Sequence, residues 1–198
     1  MPAVVLASGS ATRQAMLRAA GVEFAVDVAA IDEASVLESL EAEGAKPRDA
    51  ADMLAEMKAL KVSAKHPGAL VIGADQILNL GPKFFSKPAD MASARKQLQE
   101  LRDHTHHLTS AAVVARDGTA IWREAREAKL TMRAFSDAFL DDYLAKAGKT
   151  VLSSVGAYQV EGLGAQLFSR IDGDHFTILG LPLLPLLDML RTQGVLKP

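Results

Sequence analysis

The chain has 198 residues, of which 49% are hydrophobic and 23% charged, a composition typical of a globular protein rather than a disordered or fibrous one. Its 22 basic and 24 acidic residues leave a net charge of −2, which disfavours a protein that binds nucleic acid by neutralising phosphates. It has no cysteine, which excludes disulfide scaffolds, thiolate zinc sites and cysteine nucleophiles and fits a cytoplasmic location.

The first third of the chain predicts a strand, a polar turn and two helices. Val4–Leu6 is a short apolar run typical of a buried strand, and the turn Ser8-Gly9-Ser10 leads into a helical pattern that ends at Gly21. Asp32-Glu33 indicates an exposed loop or a helix start. Between Pro47 and Lys65 the apolar residues recur with helical spacing on one face, which predicts a second helix.

The central segment predicts a buried strand with an acid in its middle. Ala69–Leu80 is apolar apart from the stretch that contains Asp75, and Gly81-Pro82 ends it. A helix is expected to follow closely, since Asp90 is placed to cap a stripe of apolar residues that begins at Met91.

Next, the sequence predicts a β-hairpin, a further strand and a helix. Leu108–Ala115 and Ala120–Glu127 flank Asp117-Gly118, a favoured dipeptide for a tight turn. Lys129–Arg133 alternates in hydropathy like a separate strand. Ser136 is placed to cap a helix that ends before a glycine.

The last quarter of the chain predicts a second hairpin and a terminal helix. Leu167–Ile171 and His175–Leu179 flank the turn residues 172–174, and a leucine-rich helix then runs to Gly194. This apolar stretch is broken by prolines and an acid, and the amino terminus lacks the regions of a signal peptide, so no membrane span or export is expected. The predicted fold is mixed α/β, a sheet flanked by helices.

Two segments are candidates for phosphate and proton chemistry. A turn such as Ser8-Gly9-Ser10 before a helix exposes N–H groups that bind anions, with Arg13 nearby, although an ordinary capped helix start is the simpler interpretation. Asp75 in an apolar strand must be protonated, paired or coordinated to a cation, and a structurally satisfied aspartate is equally consistent with the pattern. Lys87 follows as a basic side chain that is solvated by default.

Two further segments give weaker signals. The glycine-rich segment Gly156–Gly164 is suited to wrap a flat ring, or is only a tight, bulged connection. His104, His106 and His107 suggest a metal site, but neighbouring side chains of one strand diverge, so structural histidines are the preferred interpretation.

Taken in order, these segments resemble the Maf family of nucleoside triphosphate pyrophosphatases. Leu6–Leu17 resembles the family's opening serine and arginine motif, Val71–Gln76 its central glycine and aspartate motif, and Lys87-Pro88 its Lys-Pro pair. Gly156–Gly164, followed by Ile171–Pro182, resembles its carboxyl-terminal signature. The match is collinear over almost the whole chain.

The resemblance implies one Maf-like domain over residues 1–198, with the Maf or inosine-triphosphate-pyrophosphatase-like fold of two lobes around a central groove. It implies hydrolysis of a nucleoside triphosphate to the monophosphate and pyrophosphate, with a divalent cation, Mg²⁺ or Mn²⁺, as cofactor. By motif position, Asp75 is the catalytic base, and Glu33 joins it as a metal ligand. The phosphate-binding residues would be Ser8, Ser10, Arg13, Lys58 and Lys87.

The substrate is indicated by three positions at which family members differ. Thr12, Gln76 and Glu161 match, at two of three, the set typical of members that act on 7-methyl-GTP. A carboxylate accepts hydrogen bonds from a guanine edge and favours the positive charge of a methylated ring. Thr12 cannot stack on a cationic ring as tryptophan does, so UTP or dTTP stays as an alternative.

The sequence also departs from the family pattern. Ala11 and Thr12 replace a Pro-Arg pair, and Met57 replaces a glutamate before Lys58. These changes leave open a nucleotide-binding regulator of cell division or septum formation that lacks turnover, and a hydrolase of other phosphoanhydrides. The resemblance also allows a homodimer, with the Leu183–Leu190 helix as a candidate face, although core is the default for such a helix.

Overall fold

A computed structural model describes residues 3–197 and has a mixed α/β architecture, which confirms the predicted fold class. The strands and helices, in chain order, are β1 (Val4–Leu6), α1 (Ala11–Ala19), β2 (Ala25–Val26), α2 (Glu33–Ala42), α3 (Pro47–Ser63), β3 (Leu70–Leu80), β4 (Lys83–Phe85), α4 (Met91–Leu101), β5 (Thr105–Arg116), β6 (Thr119–Met132), α5 (Asp137–Ala147), β7 (Phe168–Asp172), α6 (His175–Ile178) and α7 (Leu183–Thr192). Short 3₁₀ helices lie at Gly148–Ser153, Val155–Ala157 and Leu163–Leu167.

The strands form one seven-stranded sheet in the order β2-β1-β3-β5-β6-β7, with β4 paired to β3. β1 is parallel to β3, and Leu6 lies opposite Ile72. Because parallel strands end at the same edge of a sheet, the turn after β1 lies beside the residues that follow Ile72. This register places the polar turn at residues 8–10 next to the segment that contains Asp75.

The chain divides into two compact units. The first comprises Met1–Gln76, Thr109–Glu127 and Asp174–Pro198, and the second comprises Ile77–Leu108 and Ala128–Gly173. The single domain expected over the whole chain stays a prediction. In the first unit, apolar residues of β1, α1, β3, β5 and α7 form a hydrophobic core. In the second, α4 and α5 pack with the 3₁₀ helices.

The terminal helix contributes to that core. Leu183, Leu186, Met189 and Leu190 of α7 are buried, which confirms the interpretation of this helix as core. A homodimer stays a prediction from the resemblance. Within residues 3–197, no helix combines the length and apolar character that crossing a bilayer requires.

Most predicted elements are confirmed, including their caps. The side chains of Asp90 and Ser136 accept hydrogen bonds at the starts of α4 and α5, and the turn at Asp117-Gly118 has positive φ at both residues. Asp32 caps α2, which confirms the interpretation of Asp32-Glu33 as a helix start. The short strands β2 and β4 and the 3₁₀ helices carry no strong periodic signal and were not predicted.

Two predictions were wrong. Lys129–Arg133 is not a separate strand, because β6 is continuous from Thr119 to Met132; Arg126 and Glu127 are both exposed, which interrupts the alternation in the sequence. His175–Leu179 is not the second strand of a hairpin, because α6 begins there. The Asp174 side chain accepts a hydrogen bond from the N–H of Thr177, so the expected turn is instead a helix cap, and β7 pairs with β6.

Candidate active site

The polar turn after β1 begins the candidate site in the first unit. Ser10 is the N-cap of α1, and its hydroxyl accepts a hydrogen bond from the N–H of Arg13. The Ser8 hydroxyl accepts from the N–H of Ser10. The turn therefore places two hydroxyl groups at the positive end of a helix dipole, where an anion is stabilised.

Arg13 is buried, and main-chain oxygens from distant parts of the sequence surround its guanidinium. Nε donates to the carbonyl of Gly180 at 2.7 Å, and Nη1 donates to the carbonyl of Ala74 at 2.9 Å and to the Ser8 hydroxyl at 3.1 Å. Arg13 thus ties the start of α1 to β3 and to the loop after α6. Its predicted contact with phosphate stays a prediction, and the structure adds a role in holding these segments together.

A close approach of α3 to β3 brings Lys58 to Asp75. Gly73 permits this approach, since a Cβ there would lie 2.1 Å from the carbonyl oxygen of Ala55 and 2.7 Å from the amide nitrogen of Ala59. Lys58 Nζ donates to Asp75 Oδ1 at 2.5 Å, and both side chains are buried. Of the interpretations that the sequence allowed for Asp75, the structure shows the paired carboxylate.

Glu33 completes this arrangement at the start of α2. Its Oε1 lies 2.9 Å from Lys58 Nζ, and its side chain is half exposed. Two carboxylates from different elements therefore converge on one cationic centre, and the structure brings together four predicted residues, Arg13, Glu33, Lys58 and Asp75.

Burial and charge act in opposite directions on the ionisable groups of the site. Burial raises the pKa of Asp75, and the positive charges of Lys58 and Arg13 oppose that shift. Burial lowers the pKa of Arg13, and the negative charges of Asp75 and Glu33 oppose it. A carboxylate whose pKa is raised is a stronger base than an ordinary aspartate.

The carboxylates of Glu33 and Asp75 fit a divalent cation that is held partly by the protein and partly by substrate phosphates. No group of three or more His, Asp or Glu side chains gathers within residues 3–197, so a cation held by protein ligands alone has no support there. Mg²⁺, however, is commonly held by one or two carboxylates together with substrate phosphates and water. The convergence of both carboxylates on Lys58 Nζ shows that they reach a common point, as such a cation requires.

The remaining predicted residues are distributed between the two units. Thr12 is half buried on α1, and Gln76 is half buried on β3, both in the first unit. Lys87 and Glu161 are exposed and belong to the second unit. Their roles in phosphate binding and in base recognition stay predictions.

The histidine cluster has a structural place in the second unit. His106 is buried, and its Nε2 lies 2.7 Å from the hydroxyl of Tyr158. Burial, assisted by the charge of His107, lowers the pKa of His106 to about 4. The buried, neutral imidazole of His106 is therefore a core histidine, which is the interpretation that the sequence favoured.

The glycine-rich segment is a tight connection. A Cβ at Gly156 would lie 2.5 Å from Leu78 Cδ1, and one at Gly164 would lie 2.4 Å from the carbonyl oxygen of Gln159. Close packing against backbone requires the glycine at 164, and a φ of +76° favours the glycine at 156, which supports the bulged connection over a ring-binding loop. A cavity of about 260 Å³ opens beside it, lined by side chains that include Tyr143 and Lys146.

Sequence reasoning did not single out the role of Gly180. Its carbonyl accepts from Arg13, and its φ of +99° is rare for residues with a side chain. The signal was present in Leu179-Gly180-Leu181-Pro182, but a contact between positions 13 and 180 cannot be read from spacing.

Comparison with known proteins gives consistent matches over nearly the whole chain. The family model described as Maf-like protein matches residues 3–193. A nucleoside triphosphate pyrophosphatase of Paramagnetospirillum magneticum is 58% identical over 98% of this chain and 100% of its own length. A 7-methyl-GTP pyrophosphatase of Brucella abortus is 54% identical over 96% of both chains. A nucleoside triphosphate pyrophosphatase of Rhodospirillum rubrum is 52% identical over 99% of this chain and 97% of its own.

Proposed function

The chain belongs to the Maf-like protein family, and from that premise we propose that it hydrolyses a nucleoside triphosphate to the monophosphate and pyrophosphate. The observation that carries this proposal is the buried pair of Lys58 and Asp75 beside the hydroxyl-bearing turn at the start of α1. Relatives that share half or more of its residues have names of pyrophosphatases, which supports a hydrolase of phosphoanhydride bonds.

Asp75 is the proposed general base. Its Oδ1 is held by Lys58, so Oδ2 is assigned the proton of the water that attacks phosphorus. Burial raises its pKa, which makes the carboxylate a stronger base than an exposed aspartate. Lys58 keeps the carboxylate oriented and contributes positive charge.

The phosphates are assigned to the cationic and hydroxyl groups around the turn. Ser8 and Ser10 present hydroxyls at the amino end of α1, and Lys58 supplies charge from α3. Arg13 adds positive charge to the same region, and Lys87, whose basic side chain is exposed, is also proposed to bind phosphate. Attack on phosphorus is opposed by the negative charge of three phosphates, so this neutralisation lowers the barrier.

Glu33 and Asp75 are the residues that would hold Mg²⁺ or Mn²⁺. The cation would supply neutralisation of phosphate charge and polarisation of phosphoryl oxygens. In the described structure Lys58 Nζ forms ion pairs with both carboxylates and so offsets part of their negative charge.

For the nucleobase we propose 7-methylguanine, with UTP or dTTP as the alternative. Gln76 and Glu161 support this choice, and relatives named 7-methyl-GTP pyrophosphatase are 51–55% identical to this chain. A cytoplasmic location stays a prediction from the lack of cysteine.

The test is pyrophosphate release from a panel of canonical and methylated nucleoside triphosphates with Mg²⁺ or Mn²⁺. Fastest turnover of 7-methyl-GTP is expected, while a preference for UTP or dTTP would keep the enzyme and overturn the assignment of the base. Nucleotide binding without release of pyrophosphate from any member would overturn the proposed hydrolysis and favour a regulator.

A further inference from the structure

The segment before the glycine-rich loop holds an alanine in a left-handed conformation. Gly156 and Ala157 follow one another with φ of +76° and +61°, and Ala157 is completely buried. A residue with a side chain adopts positive φ at a cost, whereas glycine does so freely. Because such a conformation persists only where its surroundings impose it, contacts around Ala157 must hold it in place.

Tyr143 of α5 supplies one of these contacts. Its hydroxyl donates a hydrogen bond to the carbonyl oxygen of Ala157 at 3.2 Å, and this bond is buried. The N–H of Ala157 donates to the carbonyl of Ser154 at 3.3 Å. The two bonds fix the peptide groups on both sides of Ala157, so the direction in which the chain leaves this residue depends on Tyr143.

The loop that follows, Gln159–Gly164, is compact and carries Glu161. The N–H of Gly162 donates to the carbonyl of Gln159 at 3.2 Å, and a Cβ at Gly164 would lie 2.4 Å from the same carbonyl oxygen. The loop therefore closes on itself, and Glu161 is exposed within it. A loop closed in this way takes its orientation from the residues that anchor its ends.

Packing beneath the loop does not supply that orientation by itself. The cavity of about 260 Å³ lies between α5 and the loop, and its lining includes Tyr143 and Gln159. Tyr158 is a second anchor, since its hydroxyl lies 2.7 Å from His106 Nε2. The orientation of the loop thus depends on Ala157 and Tyr158, and Tyr143 holds the first of them.

We propose that Tyr143 is a positioning residue that, through Ala157, sets the loop so that the Glu161 carboxylate meets the nucleobase. The inference rests on the proposed hydrolysis and on the proposed part of Glu161 in base recognition. The 7-methylguanine ring carries a positive charge that guanine lacks, and the attraction of a carboxylate for this charge falls with distance. Displacement of the loop therefore weakens binding of the methylated base more than binding of guanine.

The test compares 7-methyl-GTP with GTP, which differ by the methyl group and its charge. In the unaltered protein, kcat/KM is expected to favour 7-methyl-GTP. Tyr143→Phe, which removes only the hydroxyl, is expected to lower that preference by about 5-fold, the effect of one typical hydrogen bond. The loss should lie in KM rather than kcat, because Lys58 and Asp75 are unaltered. Both nucleotides are measured on one protein sample, so loss of folded protein cancels in the ratio.

Three further variants separate positioning from loss of stability. Ala157→Gly in combination with Tyr143→Phe should restore the preference, since glycine adopts the left-handed conformation without help from the hydroxyl. Ser136→Ala is the matched control and should leave the preference unchanged, because it removes the hydroxyl that caps α5 and keeps Tyr143. Glu161→Gln should reduce the preference most, because it removes the charge that the loop presents.

Several results would overturn the inference. An unchanged preference in Tyr143→Phe, beside a reduced one in Glu161→Gln, would show that the hydroxyl does not position the carboxylate. An equal loss in Ser136→Ala, or no recovery when Ala157→Gly is added to Tyr143→Phe, would assign Tyr143 to stability alone. Equal kcat/KM for both nucleotides in the unaltered protein, or a preference that Glu161→Gln leaves unchanged, would remove the role of Glu161 while leaving the hydrolysis intact. Failure of every triphosphate to release pyrophosphate would instead remove the proposed hydrolysis, and this inference with it.

Discussion

Arg13, Lys58 and Asp75 form a charged cluster in the first unit, whereas His106, Tyr158 and Phe168 form a neutral cluster in the second. Burial favours the neutral form of each group, raising the pKa of Asp75 and lowering that of His106 to about 4. In the charged cluster, opposite charges oppose this effect. The neutral cluster has no such charges; it is held by a hydrogen bond between His106 and Tyr158, a tilted contact between their rings and an edge-on contact between Tyr158 and Phe168.

The difference shows how two kinds of buried polar group are used. A buried ion pair costs desolvation and is weak evidence for stability, so its retention is best explained by chemistry. A neutral histidine with one hydrogen bond packs as part of a core. We therefore propose a role in function for the charged cluster and a role in stability for the neutral one.

The largest effect is expected from Asp75→Asn, which removes the charge and the proposed base while keeping the shape. Pyrophosphate release should fall by about 10²–10⁴-fold, the usual contribution of general base catalysis. The measurement is the rate of release at saturating triphosphate, with circular dichroism to verify the fold. A rate within a factor of two of the original would assign Asp75 to structure.

Lys58→Met tests the charged cluster by removing its central cation. Leaving Asp75 buried without a partner should lower the free energy of unfolding by about 3–5 kcal/mol. Because the pKa of Asp75 is then raised further, the deficit should be small at low pH, where the acid is protonated, and grow as pH rises. Urea unfolding of the original protein and of Lys58→Met at several pH values measures this difference in the free energy of unfolding.

The double variant Lys58→Met with Asp75→Asn is the control for that coupling. Without a carboxylate to neutralise, it should recover most of the lost stability. A double variant as unstable as Lys58→Met would mean that the two side chains are not coupled.

His106→Gln tests the neutral cluster, since glutamine keeps a hydrogen bond to Tyr158 but does not titrate. The folded-state pKa of His106 is about 4, below its ordinary value of 6.5. As pH falls, His106 therefore binds a proton in the unfolded chain before it does so in the folded protein. Its contribution to the free energy of unfolding is present above pH 6.5 and lost as pH falls toward 4. The free energy of unfolding of His106→Gln should not show this loss, which is ~3 kcal/mol.

The measurement for His106 is the free energy of unfolding of both proteins between pH 7 and pH 4. Parallel curves across that range would show that His106 does not titrate between the folded and unfolded states.

The smallest effect is expected from Asp142→Asn, which breaks an exposed pair with Lys146 one turn along α5. Such pairs contribute below about 0.5 kcal/mol because both charges stay hydrated. Neither the unfolding midpoint nor pyrophosphate release should change measurably, so this variant is also the matched carboxylate control for Asp75→Asn. A clear loss of activity would show that removal of any carboxylate disturbs the protein.

Local patterns in the sequence were sufficient for most helices and strands. The spacing of apolar residues and the caps at Asp90 and Ser136 act over four or fewer residues, so they can be read directly. Where two local signals conflict, the sequence is ambiguous, as at Asp174, whose side chain suits both a turn and a helix cap. The same holds for Arg126-Glu127, where two exposed residues in succession interrupt the alternation of polar and apolar residues although β6 is one continuous strand.

By itself the sequence determined the mixed α/β class, the motifs and the identity of Asp75 as a buried acid. Only the tertiary structure decided that Lys58 pairs with it, that Glu33 joins them, and that Gly180 and Ala74 hold Arg13. The physical reason is distance along the chain. Hydrogen bonds and ion pairs between residues 17 to 167 positions apart depend on sheet register and helix packing, which no local pattern encodes.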